Sequence, residues 1–421
     1  MTLSPRSDEL ENTKEAKLPK RDWVILPLLS LATIALVIGS IELIARAKAG
    51  DASEQEGMAP CIISDDLSTG VRFVPNSECR DRSMESSWTD YKFNSRGHRA
   101  GWEYGPKQQG TYRIVMAGSS IAFGFVVDRE KSFAALLPDE IAARTGRKIE
   151  LYNEAMGYAG GGTPHSVLVQ SDVLLAARPD AILWVLTPYD IENVSSIGWV
   201  RSPGQNNPNS ANGNPPHTHF EQTVAKFSSA LGIKSVPEPI LDWVGRANGQ
   251  LQFQIYLKHI LYESQSLYVN ASLNGPPEKI GFVDKNWIPV WTERLHDFDS
   301  YAGSLIAKAS QAGIPVIVVF VPDAQLAAII SRGDYPANCD PFKLDRELAA
   351  AITSRGGTYI DILPDFQKDP NSEEKYFRFN GHPTAAGHAN IARMIAGQIT
   401  SGAFPPLNAV APTQNSSAEM K

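Results

Sequence analysis

"YRIVMAGSSIAFG", Tyr112 to Gly124, carries an apolar, strand-like run into a Gly-Ser-Ser turn and then through a short apolar segment to a second glycine. A serine at the end of a strand has two readings. Its hydroxyl can cap the helix that follows, because Ser is a preferred N-cap residue. It can also serve as a nucleophile, provided that a base elsewhere takes its proton and a third group orients that base. Which reading holds depends on what the rest of the chain brings to the same place.

Downstream of Tyr112, apolar strand candidates alternate with helical patterns: "SFAALLPDEIAART", "KIELYNEAM", "SVLVQSDVLLAAR" and "DAILWVLTP" follow the opening strand. The alternation predicts an α/β domain with a parallel sheet covered by helices on both faces. Arg201 to Pro216, "RSPGQNNPNSANGNPP", is too rich in Pro, Gly and Asn for a regular element and reads as a solvated loop bordering the rim above the sheet. Helical material such as "LQFQIYLKHILYESQSLYV" comes next. "IPVIVVFVPD", "KLDRELAAAITSRGG", "TYIDILPD" and "TAAGHANIARMIAGQI" then resume the alternation, so the interruption, about 195–285, is an insertion within one domain. That domain is assigned to 109–402, and the tail 403–421 reads as disordered.

Upstream, 46–108 has no long helical periodicity and is dotted with Gly, Pro, Asn and Ser between short alternating segments such as "WTDYKFN", which predicts a small β-rich lead-in. "WVILPLLSLATIALVIGSI", Trp23 to Ile41, carries no charge and is about long enough to cross a ~30 Å hydrocarbon core, so 23–45 reads as a transmembrane helix. Arg6, Lys14, Lys17, Lys20 and Arg21 precede it, which places 1–22 in the cytoplasm and the remaining chain outside. A cleavable signal is the competing reading, since Ala47-Lys48-Ala49 resembles a small-x-small cleavage site. The apolar run exceeds a signal core, however, and charges crowd the supposed cleavage region, which favours a retained anchor.

The 421 residues, 43% of them hydrophobic, can bury a large core. A formal charge of −7 without a long basic run argues against nucleic acid, whose binding relies on Lys and Arg neutralising phosphates. Cys61 and Cys79 bracket a segment that a disulfide could close in an oxidising compartment, leaving Cys339 unpaired. No cysteine pair has metal-ligand spacing, and His217 and His219 sit in the Pro/Asn-rich stretch without nearby cysteines or a carboxylate pattern. Neither a metal nor a cofactor is expected.

Open parallel sheets bind ligands at the carboxyl ends of their strands. On that rim the sequence sets Gly118, Ser119 and Ser120, then "AMGYAGGGT" around Gly157, then Thr187, Pro188, Tyr189 and Asp190, and finally "FNGHPTAAGH" with His382. One rim thus gathers a serine and a histidine.

Over most of the region from about Val71 to Ile399 the chain resembles the SGNH/GDSL hydrolase superfamily, in particular its membrane-anchored extracytoplasmic members. "GSSIAFGFVVDREKSFAALL" is similar to the family's nucleophile block and "YNEAMGYAGG" to its glycine block. "PDAILWVLTPYDIEN" occupies the place of its Gly-x-Asn-Asp block, and "NGHPTAAGH" is similar to its terminal acid–histidine block. The resemblance implies a three-layer α/β/α flavodoxin-like sandwich. It also implies Ser120 as nucleophile, His382 as general base, and the backbone N–H groups of Ser120 and Gly157 as oxyanion donors.

Three positions depart from the family's pattern. Ser119 stands where Asp precedes the nucleophile. Tyr189 stands where an asparagine amide completes the oxyanion site. Asn380 replaces the carboxylate before the histidine, leaving a neutral acceptor to orient the ring, as in Cys-His-Asn sites. Asp190, Asp340 and Asp361 are further candidates to approach the imidazole, although Asp190 also reads as a helix cap. His388 reads as a helix residue facing its neighbours, and His165 as a helix-start residue. The function implied is hydrolysis or transfer of an O-acyl group carried by a surface polysaccharide or a lipid. The opposing reading, supported by the three substitutions, is a non-catalytic protein of the same fold that binds a glycan or a partner enzyme.

Overall fold

The computed structural model describes residues 21–49, 57–66, 70–83, 85–157, 161–196 and 259–409. The chain divides into two units. Residues 1–51 and 216–257 form the first, and 52–215 and 258–421 the second.

In the first unit the described element is α1, Asp22–Ala49. Its stretch Ile25–Ile44 has a mean hydropathy of 2.1 over 20 residues, enough by length and composition to cross a membrane as anchor or signal.

The second unit begins with two antiparallel ribbons. β1 (Ile62–Asp66) pairs with β2 (Gly70–Phe73), and β3 (Glu78–Asp81) with β4 (Thr89–Lys92). Cys61 and Cys79 are joined by a disulfide, and Cys339 is free and buried. This is the expected β-rich lead-in.

Five parallel strands follow: β5 (Thr111–Ala117), β6 (Lys148–Asn153), β7 (Ala181–Leu186), β8 (Val316–Phe320) and β9 (Thr358–Ile360). Their spatial order is β6-β5-β7-β8-β9. This is the doubly wound flavodoxin-like order, and its switch point, where open parallel sheets bind ligands, lies between β5 and β7. The expected fold class is borne out. All six residues of β7 and all five of β8 are buried, which is why those runs read as uninterrupted Val, Ile, Leu and Trp instead of alternating.

Helices flank the sheet in two groups. α3 (Phe133–Thr145) packs on the helix Ala385–Gln398, while the long helix Pro289–Gln311 packs on α4 (Pro164–Val169), α5 (Ser171–Ala176), α6 (Pro188–Glu192) and the helix Lys343–Ser354. "SVLVQSDVLLAAR" is two short helices, because the chain breaks at Gln170, whose φ of −81° and ψ of 0° interrupt the turn between α4 and α5. Phe404 and Leu407, within the segment expected to be a disordered tail, are buried. The loop 201–216 and most of the insertion lie outside the described residues.

Candidate active site

The turn after β5 needs its glycine. Gly118 has φ +149°, and a Cβ there would sit 2.6 Å from the Val185 carbonyl oxygen on the neighbouring strand. The chain therefore turns directly at the switch point into α2, Ser120–Phe123, a single helical turn closed by Gly124 at φ 82°. Ser119 is the N-cap residue of α2 by position, yet its hydroxyl makes no capping bond, and Ser120 is already the first helical residue. Neither serine is spent on a cap.

His382 arrives from the other end of the domain, on the turn between the residues following β9 and the helix Ala385–Gln398. Its carbonyl accepts from Phe377 N–H at 2.8 Å, and Thr384 caps the helix two residues on. The His382 Nε2 atom is 2.7 Å from Ser120 Oγ. Its Nδ1 is hydrogen-bonded to Asn380 Oδ1. A carboxamide oxygen can only accept, so Nδ1 carries the proton and Nε2 presents its lone pair to the serine hydroxyl. The Ser120–His382–Asn380 constellation is thus assembled, with the ring in the tautomer that a base requires.

These side chains open into a cavity of about 470 Å³ that Ser119, Gly157, Thr187 and Tyr189 also line, with Ile121, Phe125 and Met156 giving it apolar walls. The Phe125 ring leans on His382 at a centroid distance of 5.2 Å. Gly157 is tightly placed, since a Cβ there would meet Phe123 Cδ1 at 2.1 Å. Neither the Ser120 nor the Gly157 N–H is engaged by another backbone group among the described residues, and both residues border the cavity. Tyr189, at the mouth, is 47% exposed.

Burial pushes the His382 imidazole down to about 4, with a hydrogen bond to Asn380 opposing it, because the packed surroundings disfavour the imidazolium. The neutral base is therefore available well into the acid range. Among the described residues its ring nitrogens bond Asn380 and Ser120 and no carboxylate, so nothing strong offsets that penalty.

Asp190 does not approach the imidazole. Its Oδ2 accepts from the Thr187 amide at 2.8 Å and the Thr187 hydroxyl at 2.7 Å, closing a capping box on α6. Burial pushes its carboxyl up to about 7, opposed by the Thr187 and Ser119 hydroxyls and the Thr187 amide. Among the described residues Ser119 Oγ and Asp190 Oδ1 have no partner at hydrogen-bonding geometry. Asp340 is paired with Arg346, and Asp361 accepts from Leu363 N–H. His388 is fully buried and its Nδ1 accepts from Phe133 N–H at 3.2 Å. His165 stacks on Tyr301 with its Nδ1 3.0 Å from the Ser195 carbonyl oxygen.

No family model matches this chain, and no curated protein matches it. Solved structures do, among them the crystal structure of TesA, at 12% identity over 70% of this chain and 99% of that one with a TM-score of 0.35. A likeness at that level carries no argument about the site. The resemblance to the SGNH/GDSL hydrolases rests instead on the order and spacing of this chain's own sequence blocks.

Two contributors to the site escape sequence reasoning. Asp323 follows β8 and lines the same cavity while capping the helix Ala324–Arg332 through the Leu326 amide at 2.9 Å. It sits where a ligand-rim residue should, just past a strand end, and that position was the available signal. Glu85 belongs to the lead-in and touches the loop that carries Asn380, a placement no local pattern announces.

Proposed function

We propose that the chain is an SGNH-type serine hydrolase, held to the membrane by 23–45, that removes or transfers an O-acyl group of a surface polysaccharide or lipid on the extracytoplasmic side. The observation that carries this reading is the 2.7 Å contact from Ser120 Oγ to a histidine nitrogen whose partner nitrogen is already committed to Asn380.

The chemistry follows from that arrangement. Ser120 Oγ attacks the ester carbonyl carbon as its proton passes to His382 Nε2. The oxyanion is met by the N–H groups of Ser120 and Gly157, with the Tyr189 hydroxyl as a third donor from the cavity mouth. The intermediate collapses, the imidazolium protonates the departing alkoxide, and an acyl-serine remains. Water or a sugar hydroxyl, deprotonated by the same nitrogen, then takes the acyl group, giving hydrolysis or transfer. The apolar walls at Ile121, Phe125 and Met156 suit the acyl portion.

The neutral orienter makes this a slow enzyme, because an amide stabilises the imidazolium less than a carboxylate does. The test is hydrolysis of a short-chain p-nitrophenyl ester by the detergent-solubilised chain. Turnover that falls to background in both Ser120→Ala and His382→Ala supports the reading. Turnover unchanged by either substitution, or none at all from folded protein, sinks it in favour of a binding protein with the same fold.

A further inference from the structure

The loop of His382 is fastened by a residue almost three hundred positions earlier in the chain. Glu85, in the turn between β3 and β4, has a side chain only 8% exposed. Its carboxylate accepts from the Phe379 N–H at 2.9 Å and from the Asn380 N–H at 2.7 Å. His259 Nδ1 lies 3.5 Å from its other oxygen. A buried carboxylate that receives two backbone amides is a charge-assisted clamp, roughly twice as strong as a neutral pair. One of the two amides belongs to Asn380, the residue that orients His382.

The same lead-in also grips the nucleophile side. Phe73 and Tyr91 stack on Phe123 of α2 at centroid distances of 5.0 and 5.8 Å. The buried Arg99 guanidinium donates to the Val127 carbonyl at 2.6 Å, and the Tyr91 hydroxyl accepts from Val126 N–H at 2.8 Å. Val126 has φ 58°, a conformation that a β-branched residue adopts only when its surroundings impose it. The lead-in thus packs on α2, the helix that begins at Ser120, and bonds the loop that carries Asn380.

We propose that Glu85 is a positioning residue for the Ser120–His382 pair, so that the β-rich lead-in completes the active site of the α/β domain. Removing the carboxylate takes away its bonds to the Phe379 and Asn380 amides, lets the Asn380 side chain drift, and releases the imidazole from the serine. A displacement of about 1 Å at a reacting pair costs on the order of 10²-fold in rate. The kinetic part of the proposal rests on the acyl-transfer reading given above, whereas the structural part does not.

Two measurements on Glu85→Ala and Glu85→Gln test it in the full chain. With a p-nitrophenyl ester, Glu85→Ala is expected to lower kcat about 10²-fold with KM within about twofold. Glu85→Gln, which offers one neutral acceptor, should lose about tenfold. Hydrogen exchange of peptides covering 377–383 should quicken at least about tenfold in Glu85→Ala while those from β5 to β8 stay unchanged. A folded variant with wild-type kcat and wild-type exchange in that loop overturns the proposal, and if Glu85→Ala fails to fold, Glu85→Gln decides. Should the wild type show no turnover dependent on Ser120, the functional reading fails and the exchange result alone judges the clamp.

Discussion

Replacing Asn380 by aspartate puts a charge where the site now has a dipole, and its consequences can be worked from the contacts at His382. The Nδ1–H already points at Asn380 Oδ1, so the substitution preserves the tautomer and changes only the strength of the bond. A hydrogen bond to a charged group is worth about 1.5–3 kcal/mol against about 0.5–1.5 for a neutral one. A difference of about 1.4 kcal/mol, felt when the imidazolium forms, corresponds to about tenfold in kcat. Glu85 limits the gain, because its carboxylate, bonded to the Asn380 N–H at 2.7 Å, adds a like charge nearby.

The new charge also acts on titration. Burial holds His382 down to about 4, and a neighbouring carboxylate favours the imidazolium and raises that value toward the ordinary histidine range. The rate requires the neutral ring, so the acid limb of kcat/KM should fall near pH 4 in the wild type and move to higher pH in Asn380→Asp. Steady-state hydrolysis of a p-nitrophenyl ester between pH 3.5 and 9 measures both. An unmoved acid limb together with an unchanged or lower kcat at pH 8 would refute the orienting role given to Asn380.

Three further outcomes follow from the site. Tyr189→Phe should reduce kcat by about 10²–10³ if the hydroxyl donates to the oxyanion, the cost of losing one such donor, with KM nearly unchanged. A full rate in that variant would restrict the oxyanion site to backbone amides. Gly157→Ala forces a methyl group against Phe123, so it should cost about 1–3 kcal/mol of stability by overpacking and lower turnover by shifting α2, as urea titration and the same ester assay would reveal. Asp190, held up to about 7 against an ordinary 3.8, opposes folding increasingly as pH rises from 3.8 through 7. About three units at 1.36 kcal/mol each set an upper bound of about 4 kcal/mol. Asp190→Asn should flatten that part of the stability curve, and urea midpoints at pH 5 and pH 8 that shift as much as in the wild type would count against it.

The sheet was legible in the sequence because its strands are buried on both faces. "AILWVL" and "VIVVF" have no polar interruption, and Pro188 and Pro322 just after them mark the rim. The site was legible where its members follow strand ends or sit within one local block. Ser120 follows β5, and Asn380 precedes His382 by two residues, close enough for one turn to bring their side chains together. Asp190 reads as a helix cap, and in the structure it is the N3 partner of the N-cap Thr187 in a capping box.

Long-range contacts were not legible. Nothing near Glu85 signals that its carboxylate meets the amides of Phe379 and Asn380, because the pairing is produced by how the lead-in docks on the domain and not by any local period. That no carboxylate among the described residues bonds His382 was also not legible, since Asp190 and Asp361 follow strand ends and Asp340 shortly precedes a helix. Only their partners Thr187, Arg346 and Leu363 show that each is committed elsewhere.

The central claim is that His382 activates Ser120 in particular, one of two adjacent serines. A fluorophosphonate, which reacts with activated serine hydroxyls, tests this when the labelled full chain is digested and the modified residue mapped by mass spectrometry. The account predicts a single adduct on Ser120, absent in Ser120→Ala, retained in Ser119→Ala, and formed at least about 10³-fold more slowly in His382→Ala, the order of loss when a triad member is removed. An adduct on Ser119, an unchanged labelling rate in His382→Ala, or no adduct on folded protein would contradict it.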